Sequence, residues 1–174
     1  MGVRYVSVQR FYWYKTQAAN IMQHYQVLFL VSTLLMHIFL FIYAVAACAK
    51  KQKTFTQTPL LSLTGSFVWG DALIFSPFWA FVSLSALYTK DWLFFWVTVS
   101  VFWVVRSSGE VLYWFLEQFS GHPRNKPANL LGYNWVKSDA VFFLYQIFWQ
   151  CITVISIVTS CVLLYQWLPR FMAH

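Results

Sequence analysis

Apolar side chains fill four stretches of the chain, at about residues 25–49, 67–88, 92–116 and 140–168, with polar residues confined to isolated positions inside them. A helix that crosses a bilayer needs roughly 20 predominantly apolar residues, rising 1.5 Å each through a hydrocarbon core about 30 Å thick. All four stretches meet that requirement, and the last is long enough to tilt or to project beyond the bilayer. The predicted fold is therefore all-α: a polytopic membrane protein in which four transmembrane helices form a single bundle, with both termini on the same side.

The connections differ in character. Only "TKD" joins the second and third spans, which predicts an antiparallel hairpin. The segment 118–138 carries glycine, two prolines and three asparagines, and it is predicted as a long polar loop without helix. Residues 1–24 mix Arg10 and Lys15 with the cluster Phe11, Tyr12, Trp13 and Tyr14, a composition suited to an interfacial helix at headgroup level. The plainer alternative is a polar lead-in to the first span. No apolar leader with a cleavage site is visible there, so the first span is expected to direct insertion itself.

Composition sharpens the class. Of 174 residues, 60% are hydrophobic and 10% charged, against roughly a quarter charged in a soluble domain. The net charge of +7 would suit nucleic acid in a soluble protein. Here the cations stand in small groups beside apolar spans, such as Lys50, Lys51 and Lys53 or Arg124 and Lys126. That placement predicts contact with anionic headgroups of the lipid bilayer and no nucleic-acid partner. Three scattered cysteines, Cys48, Cys151 and Cys161, fit neither a disulfide framework nor zinc. No metal or cofactor is expected.

The polar residues inside the spans carry the candidate chemistry. In the third span Arg106, Glu110, Tyr113 and Glu117 stand at i, i+4, i+7 and i+11, on one helical face. In the fourth, Asp139, Gln146, Gln150, Thr153 and Ser160 fall within a sector of about 80°. The first span offers Gln26, Thr33 and His37 on one face, and the second holds Asp71 near its start. Arg106 lies ten residues before Leu116, about 15 Å into the bilayer. Together these residues predict a polar cavity open to one side and roofed by His122, Arg124, Asn125 and Lys126.

Each has a structural counterpart. Arg106 and Glu110 can form an ion pair that fixes helix register, while Asp71 and Asp139 can cap their helices. His37 can relay protons or bind a metal, or it can simply hydrogen-bond a neighbouring helix. The leading expectation is a non-enzymatic protein whose cavity binds, and as an oligomer translocates, a polar or amphiphilic small molecule or lipid. The ligand set is Arg106, Glu110, Tyr113, Asp71, Asp139, Gln146, Gln150 and His37. One alternative is an accessory subunit whose polar stripes face another membrane protein. The other is a membrane-embedded enzyme acting on a lipid headgroup, with Glu110 or Asp71 as base and His122 as acid. It is disfavoured because the ionisable groups are staggered in depth and no nucleophile stands out.

Overall fold

The computed structural model describes residues 22–51, 61 and 64–172, which are predominantly helical with no strand among them. Four long helices carry this part of the chain: α1, His24–Lys51; α2, Trp69–Thr89; α3, Trp92–Phe119; and, after a short α4 at Tyr133–Val136, α5, Ala140–Phe171. The four long ones are long and apolar enough to cross a membrane. Of the interfacial helix expected over residues 1–24, only 22–24 are described: Met22 and Gln23 are non-helical and His24 opens α1. The rest of that expectation lies outside the described residues. Two compact units divide the chain, Met1–Phe95 and Trp96–His174.

In the first unit, α1 buries Leu30, His37 and Ala44 at intervals of seven residues, with Ala47 extending the stripe. The buried residues of α2 are Ala72, Ser76, Trp79, Val82, Ser83 and Ala86. Most of these are small, which lets the two backbones approach closely. For helices in lipid such van der Waals fit matters more than apolar burial, because the surroundings are already apolar. The helices run antiparallel, since Tyr43 meets Trp69 (ring centroids 4.8 Å) while the earlier His37 meets the later Trp79 (6.3 Å). Ala44, Ala72 and Leu61 form a core cluster with Leu40, Trp69 and Leu73 packed against it. The indole Nε1 of Trp79 donates to the Thr64 carbonyl at 3.1 Å and fastens the connecting segment to α2.

The turn after α2 is built by two residues. Lys90 adopts the left-handed conformation (φ 54°), and the Asp91 amide bonds back to the Ala86 carbonyl at 3.1 Å, closing a Schellman-type end. The Asp91 carboxylate then caps α3, accepting the amides of Leu93 and Phe94 at 3.0 Å each. A β-carbon in the left-handed region costs about 1 kcal/mol that glycine does not incur. Glycine's greater freedom in the unfolded chain offsets part of that gain, so Lys90→Gly is expected to stabilise the chain by about 0.5 kcal/mol, read as a raised midpoint in a thermal unfolding series.

In the second unit, the indole of Trp114 packs on Phe142 and Tyr145, with ring centroids 6.2 Å and 4.5 Å away. Further along the same seam Thr153 Oγ1 lies 2.9 Å from Ser107 Oγ, which donates to the Trp103 carbonyl. These contacts set α3 and α5 antiparallel, with Thr153 level with Ser107 and Gln150 therefore level with Glu110. The segment 118–138 differs from the loop expected of it. It holds a 3-10 turn at Pro127–Asn129 and the short α4, entered through Gly132 at φ 90°. The reason lies in residues that a count of glycine and proline passes over. Leu130, Tyr133 and Val136 pack against the Trp114–Val141–Phe142 cluster, so the segment folds down onto the helix ends. α3 also runs three residues past the predicted Leu116, to Phe119.

Candidate functional site

α3 carries its charges at its middle. Arg106 has about 20 Å of helix on either side, given the 28 residues from Trp92 to Phe119. Its Nη1 stands 2.6 Å from Glu110 Oε1, and the two side chains are 16% and 13% exposed. The i,i+4 spacing lets the pair form within one helix, and mutual neutralisation makes two charges tolerable where water is scarce.

The same stripe continues through Tyr113 to Glu117, which is 8% exposed. The Glu117 carboxylate accepts the backbone amides of Arg124 at 3.1 Å and Asn125 at 2.9 Å, one on each oxygen. The side-chain amide of Asn125 donates to the Tyr113 hydroxyl at 2.5 Å. A carboxylate in the last turn of a helix stands against the negative end of the helix dipole. Two N–H groups aimed at it offset that cost, and the segment predicted to roof the site is thereby clamped to the outer end of the stripe. Glu117 and Asn125 are absent from the ligand set read from sequence. The unfavourable sign of a glutamate at a helix C-terminus is the signal that could have singled out Glu117.

No family model, curated protein or solved structure matches this chain. The side chains alone carry the functional argument.

The remaining predicted residues are distributed as follows. Gln146 is half-buried on the side of α5 that faces α3, whereas Gln150 is exposed. Handedness explains the difference. Gln150 sits about 60° around α5 from Thr153, on one side of the α3–α5 seam, and the Arg106 stripe sits about as far around α3 on the other side. Asp139 occupies the N-cap position of α5, but it is exposed and makes no capping hydrogen bond. Ser138 Oγ instead accepts the Ala140 amide at 3.3 Å.

His37 and Asp71 belong to the first unit. His37 is 3% exposed, and its Nδ1 lies 2.8 Å from the Thr33 carbonyl, one turn earlier on its own helix. That bond puts the ring proton on Nδ1 and leaves Nε2 buried, with no partner among the described residues. Asp71, in the first turn of α2, accepts the Phe67 amide at 2.9 Å and so secures the chain entering the helix. Among the described residues no group of three or more His, Cys, Asp or Glu is placed to hold a metal ion.

Proposed function

We propose that this chain is a small multi-pass membrane protein whose third span binds the polar group of an amphiphilic small molecule or lipid. The supporting observation is the Arg106–Glu110 pair, 2.6 Å apart, mostly covered and at the centre of an apolar helix. An apolar pair of the same volume would hold such a helix equally well or better, and ionisable residues at this depth mark ligand or ion pathways. Arg106 is the group that meets an anionic headgroup. Glu110 holds the guanidinium in place when the site is empty and receives a cationic group when the ligand carries one. Tyr113 adds a hydroxyl one turn outward, and the clamped Arg124–Asn125 segment closes the outer end.

Native mass spectrometry of the protein gently extracted from its own membrane tests this. A reproducible bound lipid or small molecule is expected, and Glu110→Gln should remove it. Exchange of the charges (Arg106→Glu with Glu110→Arg) keeps an ion pair but reverses polarity at each depth. A folded exchange variant that retained the adduct would overturn the proposal. A stoichiometric second polypeptide in place of the adduct would make the stripe a subunit interface.

A further inference from the structure

Within the second unit, α5 has a second face that packing among the described residues leaves open. Its buried side runs through Val141, Phe142, Ser156 and Ser160. On another side Phe143, Ile147, Gln150, Val154, Ile157 and Cys161 alternate at intervals of four and three, and all six are exposed. A 3.5-residue spacing is the geometry of a seam between two helices crossing at a shallow left-handed angle. Apolar residues at such positions suit lipid equally well, so they do not by themselves indicate a partner. Gln150 does.

Gln150 stands level with Glu110, one turn from Arg106 at the middle of α3, and so well inside an apolar layer about 30 Å thick. Its side chain is too short to reach headgroups from that depth. It makes no hydrogen bond to a described residue and faces outward. A primary amide left unpaired in hydrocarbon costs several kcal/mol. The isoleucine or valine found elsewhere on this face would cost none.

We propose that this face is the interface of a homodimer in which Gln150 pairs with Gln150 of a second copy. Copies inserted in one orientation and related by a two-fold axis along the membrane normal bring their α5 helices together in parallel, so the same residue meets itself at the same depth. A carboxylate or a guanidinium placed there would repel its copy. An amide donates and accepts, so two identical ones satisfy each other. Cys161, eleven residues further along the same face, then faces its own copy about 16 Å further along the helix, toward the opposite edge of the layer. The interface lies across the α3–α5 seam from the Arg106 stripe, so it stands whether or not that stripe binds a ligand.

The test is oxidative cross-linking in native membranes with Cys48→Ser and Cys151→Ser, leaving Cys161 as the sole thiol. A disulfide-linked species of twice the chain mass is expected. Val154→Cys in a cysteine-free chain should also cross-link, and Ile155→Cys, which is off the seam, should not. Gln150→Leu places an apolar group in lipid and keeps the fold, yet should lower the cross-linked fraction roughly tenfold at limiting protein density. Gln150→Asn should largely preserve it. Equal cross-linking at 154 and 155, an undiminished Gln150→Leu dimer, or a complex holding one copy of this chain with a different polypeptide would each overturn the proposal.

Discussion

Arg106→Ala is expected to cost about 3–5 kcal/mol of stability, more than any neighbouring truncation on α3, because it strands the Glu110 carboxylate without its counter-charge. Unfolding in mixed detergent with increasing denaturing surfactant would measure it. The paired change Arg106→Met with Glu110→Leu removes both charges and fills the space with apolar atoms. It should return stability to near the parent value or above it. It should also abolish ligand retention, which separates what the pair does for folding from what it does for binding. A single-variant loss below about 1 kcal/mol would mean that the pair is solvated like a surface salt bridge and does not lie in an apolar layer.

The second large effect falls on Glu117. Glu117→Ala removes the acceptor for two consecutive amides, those of Arg124 and Asn125. Hydrogen bonds to a charged group contribute about 1.5–3 kcal/mol each, but the freed amides lie near the surface and water recovers part of the loss. The expected net cost is about 2 kcal/mol, concentrated in the segment after α3. Hydrogen exchange at the Arg124 and Asn125 amides should accelerate by one to two orders of magnitude, while exchange in the middle of α3 stays unchanged. Unaltered exchange at those two amides would show that the Leu130, Tyr133 and Val136 packing alone holds the segment.

The helices were legible in the sequence because apolar run length is a direct reading of bilayer thickness, and all four long starts fall within two residues of the hydrophobic boundaries. The Arg106–Glu110 pair was legible for a related reason, since i,i+4 neighbours meet on any α-helix. Other features depend on information that spacing does not carry. Helical periodicity groups Gln146 and Gln150 together, but only the direction in which α5 meets α3 decides that the first is half-buried and the second exposed. Asp139 and Ser138 are both acceptable caps, and the backbone of Asp139, already helical at φ −62° and ψ −11°, leaves Ser138 to accept the amide. The short helices of 127–136 were hidden because their stability comes from Trp114 and Phe142, distant in sequence, and not from local propensity.

The turn at Lys90 and Asp91 also constrains biosynthesis. With Thr89 ending one helix and Trp92 beginning the next, the intervening chain reaches only a few ångströms per residue, far short of a bilayer's thickness. Where a membrane-spanning chain places this turn on the side away from the ribosome, α2 cannot complete its crossing before α3 has been made to follow it. In that orientation the two segments enter as one unit, carrying a tip on which Lys90 and Asp91 cancel in charge. Moving that tip through the apolar layer is correspondingly less costly than moving either charge alone, and any insertion lengthening the turn would release the second span to insert on its own schedule.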